Sequence, residues 1–124
     1  MGTRSTIKFY SEFNQEEVLV SVYQQHDGYI DGAGHELAGW LNTKKMINGI
    51  HFQTMEEGYA NGMGCLAAQF IKEFKIRIGG FYIGKIDGKE EYNYEVRLID
   101  NELIITVDDI FKGTPSELLE FNEE

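Results

Sequence analysis

The chain has 124 residues, 42% of them hydrophobic and 13% aromatic, with 21 acidic residues against 11 basic ones and a net charge of −10. That length suits one compact domain and is short for two. The charge opposes non-specific attraction to nucleic acid or to an anionic membrane, so an anionic ligand needs a local site and not a global field.

In chain order, "TRSTIKFYSE" alternates Ile7 and Phe9 with Lys8 and Tyr10, and "EVLVSVYQQ" places Val18, Val20 and Val22 on one face. Both have the period of two expected of strands, and the polar "FNQEE" between them reads as a hairpin connection. The Asp-Gly steps and Gly34 of "HDGYIDGAGHELAGWLNTKK" predict a loop, after which Leu37, Trp40 and Leu41 predict a short helix. A loop through "NGIHFQTMEEGYA" leads to a second helix, on which Met63, Leu66, Ala67, Phe70 and Phe74 form a one-sided stripe. Asn61 is the expected cap. The lone Cys65 on this helix cannot form an internal disulfide, which fits a reducing, cytoplasmic compartment. No apolar run approaches the roughly 18 residues of a membrane span, and the N-terminus lacks a signal-peptide core.

Two turns set the expected register of the C-terminal half. Asp87-Gly88 predicts a two-residue hairpin that places Ile83 opposite Tyr92, Tyr82 opposite Asn93 and Phe81 opposite Tyr94. Asp100-Asn101 repeats the operation and places Leu98 opposite Leu103, Val96 opposite Ile105 and Tyr94 opposite Val107. Phe81, Ile83, Tyr94, Val96 and Leu98 then share a core face with Leu103, Ile105 and Val107. The other face carries Tyr82, Asn93, Glu95, Arg97, Ile99, Ile104, Thr106 and Asp108. In the tail, Thr114 and Glu117 fit a capping box, so the acidic end reads as a short terminal helix or a frayed segment. The expected fold is α+β: an antiparallel sheet made of an N-terminal hairpin and a C-terminal three-stranded meander, with two helices inserted between them.

Chemistry can be sought in three places. An aromatic ring beside a carboxamide, with a guanidinium four residues further along the same strand face, can stack on a base, read its edge and neutralise a phosphate. Tyr82, Asn93 and Arg97 supply those groups, and an ordinary solvated sheet face is the competing reading. The glycines of "NGMGCLAAQF" open a helix at a cost of about 1 kcal/mol each relative to alanine, which suggests clearance for an anion at the bare N–H groups of Asn61, Gly62, Met63 and Gly64. Tight helix packing explains those glycines equally well. His26, Asp27, His35 and Glu36 could ligate a metal or act as a base, but their spacing matches no standard zinc pattern and satisfied loop histidines are the simpler reading. No nucleophile elbow or cysteine-histidine signature is present, so the chain is expected to be no enzyme and to hold no metal or cofactor.

Taken together, "GTRSTIKFY", "VYQQHDGYIDGAGHELA", "NGMGCLAAQFI" and "GGFYI" followed by "YNYEVRL" resemble a family of small viral and prophage proteins that includes the Thoeris anti-defence nucleotide sponges. The likeness covers most of the chain and is weakest over "NTKKMINGIHFQTMEEG" and the tail. It implies a homo-oligomer in the cytoplasm of an infected bacterial host, which sequesters a cyclic nucleotide immune signal, chiefly glyco-cyclic ADP-ribose, without degrading it. Cyclic oligonucleotides are a further ligand class in some relatives. An aromatic residue and an asparagine of the C-terminal sheet are implied as ligand contacts, matched here by Tyr82, with Phe81 beside it, and by Asn93. Arg97, the "NGMG" amides, His26, Asp27 and Arg4 complete the candidate ligand-binding set. Two other readings remain: a hydrolase of such a signal acting through His26, Asp27, His35 or Glu36, and an acidic inhibitor or DNA mimic that presents carboxylates to a basic partner.

Overall fold

The computed structural model describes residues 2–49 and 57–123. The chain begins with the expected hairpin, β1 (Ser5–Tyr10) and β2 (Val18–Gln24), paired antiparallel with a bulge between Phe9 and Tyr10. The glycine-rich segment after it is not irregular throughout, as expected, because Ile30–Gly34 forms a single π-helical turn that runs into α1 (His35–Leu41). Close packing explains the glycines here. The Tyr94 hydroxyl donates to the Gly28 carbonyl at 2.7 Å, and a Cβ on Gly34 would stand 3.1 Å from the same hydroxyl. Burial pushes the Tyr94 pKa well above the usual tyrosine range.

Part of the expected "NGIHFQTMEEGYA" loop, residues 50–56, lies outside the described residues. The segments around it form a two-stranded parallel pair, β3 (Lys45–Ile47) with β4 (Tyr59–Asn61), which periodicity could not reveal in three-residue strands. Next comes α2 (Gly62–Phe74), which buries Met63, Leu66, Ala67 and Phe70 as its stripe requires. Asn61 does not cap it: its carboxamide exchanges two hydrogen bonds with the backbone of Gly49 instead.

The remaining elements are β5 (Phe81–Ile83), β6 (Tyr92–Ile99), β7 (Glu102–Val107), β8 (Phe111–Gly113) and α3 (Pro115–Leu119). Six strands form one sheet in the order β5-β2-β1-β6-β7-β8. The β6–β7 register is the expected one, and Asp100 and Asn101 both take the left-handed conformation that a tight hairpin of this hand needs. The Asp87-Gly88 hairpin does not form. Its segment closes a turn from the Gly88 N–H to the Lys85 carbonyl, while β5 leaves β6 altogether and pairs with β2. The meander is therefore β6-β7-β8. Because β1 and β6 pair in parallel, the sheet is mixed and not wholly antiparallel.

One hydrophobic cluster runs from the sheet into the helices on a single face, with Ile7, Phe9, Tyr94, Val96 and Ile105 meeting Leu37, Leu66, Phe70 and Leu118. Among the described residues, the two expected α-helices, α1 and α2, lie between the strand sets, and a third follows β8 in the tail. The third, α3, has the Thr114–Glu117 capping box and adds Leu118 to the core. Ile83, expected in the core, is 64% exposed because edge strand β5 reaches past that cluster. No helix of the described residues is long and apolar enough to cross a membrane.

Candidate functional site

The first glycine of α2, Gly62, makes room for an internal anion. The Glu12 carboxylate, reaching from the β1–β2 connection, accepts from the Met63 N–H at 3.3 Å, where the positive end of the helix dipole favours it. Gly62 has φ +86°, and a Cβ there would stand 2.6 Å from Glu12 Oε2. Gly64 is an exposed helical residue whose Cβ would meet nothing within 4 Å. The two glycines therefore separate under substitution. Gly62→Ala should lower the unfolding free energy by about 2 kcal/mol, from backbone strain and a disturbed charge-assisted bond. Gly64→Ala should raise it by roughly 0.5–1 kcal/mol in the same urea titration.

On the sheet face away from the helices, strand pairing sets Tyr82 beside Tyr23, Tyr23 beside Thr6 and Thr6 beside Asn93. Tyr82 and Asn93 thus share a row and a face, as expected, but are separated by two intervening strands, roughly 14 Å across. A hollow of about 570 Å³ opens on this face between the Tyr23–Tyr82 pair and the segment that carries Lys85, Lys89 and Glu90. The two tyrosine rings lie 6.0 Å apart, and Tyr82 is 44% exposed. Lys75 Nζ stands 5.4 Å from the centre of the Tyr82 ring and donates to the Phe81 carbonyl at 2.7 Å. Lys75, Lys85 and Lys89 thereby gather round one aromatic pair in a chain of net charge −10.

Asn93 stands behind the rim of this hollow. Its Oδ1 accepts from Thr6 Oγ1 and from the Glu90 N–H, and its Nδ2 donates to the Glu90 carbonyl and to Asp108 Oδ1, all at 2.9 Å. The carboxamide is thus committed to pinning Glu90 onto the sheet. Arg97 is similarly engaged: it donates to the Gln15 carbonyl at 3.0 Å and to Glu95 at 2.7 Å, and its guanidinium lies 3.7 Å from the centre of the Tyr10 ring. Burial and the neighbouring Glu95 carboxylate raise the Tyr10 pKa.

Phe81 points the other way. It packs on Phe70 with ring centres 5.8 Å apart and lines a second hollow of about 490 Å³ with Gln24, His26, Asp27, Glu36 and Arg77. Three of the four loop residues considered for hydrolysis therefore meet there, while His35 does not line that space. Among the described residues, no group of three histidine, cysteine or acidic side chains is placed to hold a metal ion. Arg4 is exposed, and its backbone N–H donates to the Glu91 carboxylate.

Sequence reasoning missed Tyr23, Ser21, Lys85 and Lys89. The signal was present for the first two, because a strand that buries Val20 and Val22 must send Ser21 and Tyr23 to the opposite face. The chain matches no protein-family model, no curated protein and no solved structure.

Proposed function

We propose that the protein binds an anionic nucleotide signal of the cyclic ADP-ribose type in the outer-face hollow and holds it without cleaving it. The observation that carries this reading is the tyrosine pair in a hollow lined by Lys85 and Lys89, with Lys75 against the Tyr82 ring, on a strongly acidic protein. A base can stack on the aromatic pair and a pyrophosphate can meet the ammonium groups. The volume lies within the roughly 300–1,000 Å³ of small-molecule sites. The choice of ligand follows the likeness of "GTRSTIKFY", "NGMGCLAAQFI" and "GGFYI" to the anti-defence sponges, and with it a role in the cytoplasm of an infected bacterial cell. In this reading Asn93 acts by holding Glu90 and the rim, and Tyr82 acts by contact.

Sequestration requires tight binding, and nanomolar affinity corresponds to about 12 kcal/mol, which calls for enclosure. A second copy of the chain can supply it. Ile83 lines the hollow and is 64% exposed on an edge strand, and Ile76 and Ile78 are 76% and 99% exposed just before that strand. A homo-oligomer built along this edge would bring a second copy up to the open side.

Titration calorimetry with glyco-cyclic ADP-ribose, followed by heat denaturation and chromatography of the released material, tests the proposal. Uptake and recovery of intact ligand are expected. A cleaved product would move the function to the hollow of His26, Asp27 and Glu36, and absence of uptake would end the nucleotide reading. The acidic-inhibitor alternative cannot be tested by removing the tail, because Leu118 is fully buried, Phe121 packs on Phe111 and Glu123 accepts from the Tyr92 hydroxyl. Charge reversal at exposed Glu120 leaves those contacts intact.

A further inference from the structure

Ser21 is 1% exposed, lines the outer-face hollow and has a buried Oγ with no hydrogen-bond partner among the described residues. A buried polar group without a partner weakens a fold, and alanine at this position would keep the same strand without that cost. The neighbour of Ser21 across the β1–β2 pairing is Lys8, which is 8% exposed and forms no ion pair among the described residues. The carboxylate on the far side of Lys8, Glu95, is bonded to Arg97 and Tyr10. The Gly84 N–H donates to the Ser21 carbonyl at 2.7 Å, which fixes the backbone at the place where the chain turns from β5 toward Lys85.

We infer that Ser21 determines ligand specificity in this hollow: its hydroxyl donates to an oxyanion oxygen of the bound ligand, with Lys8 as its cross-strand neighbour and Lys85 lining the same hollow. This rests on the reading of the hollow as a nucleotide site and gives that site a direction. The base lies on Tyr23 and Tyr82, and the pyrophosphate lies one step along β2, over Ser21. A hydroxyl that donates to a charged oxygen in a partly enclosed site is a strong and selective contact. A ligand without an anion there forgoes that bond, so uncharged nucleosides bind more weakly.

Titration of the full chain with cyclic ADP-ribose, with inorganic pyrophosphate as competitor and thermal melting alongside, tests this in the wild type, Ser21→Ala and Tyr82→Ala. Ser21→Ala should weaken cyclic ADP-ribose binding at least about tenfold and weaken pyrophosphate competition in parallel, while the melting midpoint stays equal to or above that of the wild type. Normal binding by Ser21→Ala alongside impaired binding by Tyr82→Ala would overturn the serine's role and leave the site reading standing. A lowered midpoint for Ser21→Ala would make the hydroxyl structural, and failure of pyrophosphate to compete with the wild type would remove the oxyanion. Unimpaired Tyr82→Ala, or no uptake by the wild type, would remove the hollow as the site and this inference with it.

Discussion

Phe70→Ala lowers the unfolding free energy by about 3–5 kcal/mol, measured by urea titration at neutral pH. Phe70 is 1% exposed at the centre of an aromatic group, with ring centres 5.2 Å from Phe9, 5.6 Å from Trp40, 4.4 Å from Phe74 and 5.8 Å from Phe81. These neighbours come from β1, α1, α2 and the edge strand β5, so the ring joins the helix layer to the sheet. Truncation leaves a cavity lined by four rings that cannot all collapse inward, which places the cost in the upper range for large-to-small changes. Phe70→Leu should recover more than half of the loss, because it restores most of the volume without the edge contacts. A loss below about 1 kcal/mol for the alanine variant would show that the aromatic group does not carry the joint between the layers.

Tyr82→Ala combined with Tyr23→Ala reduces affinity for glyco-cyclic ADP-ribose by two to three orders of magnitude, at about 1–3 kcal/mol per base-aromatic contact, and leaves the melting midpoint within a few degrees of the wild type. Asn93→Ala behaves differently. Its four carboxamide hydrogen bonds tie Thr6, Glu90 and Asp108 together, so their removal costs about 2–3 kcal/mol of stability and weakens capture through a loosened rim. The sequence alone treats Tyr82 and Asn93 alike, as ligand contacts. Equal melting midpoints for Asn93→Ala and the wild type would restore that simpler picture, with Asn93 free to face the ligand.

The two Asp-containing turns show what was legible in the sequence and what was not. Asp100-Asn101 has strongly alternating strands on both sides, so the local turn and the burial of Val96, Leu98, Leu103 and Ile105 demand the same register. Asp87-Gly88 offers an equally good local signal, but a long-range contest decides the partners. Beside β1, strand β6 sets Tyr94 and Val96 against Ile7 and Phe9 and buries all four, a gain that β5 with its exposed Ile83 cannot match. Face parity survives a change of partner, since alternation belongs to the single strand. For that reason Tyr82 and Asn93 were placed correctly on the outer face and incorrectly as direct neighbours. The anion site at the start of α2 was legible as clearance but not as to its occupant, because no local pattern links Glu12 to a backbone amide 51 residues away.

The parallel join of β1 to β6 also sets a timetable for biosynthesis. Thr6 and Asn93 are 87 residues apart, so β1 leaves the ribosome long before its second neighbour exists. Until then the nascent β1–β2 ribbon carries a bare flank of amides and carbonyls next to Ile7 and Phe9, which invites pairing with another unfinished chain. Slow, distance-limited folding follows from that wiring, and high-level expression should favour aggregates unless translation is cooled or chaperones are plentiful.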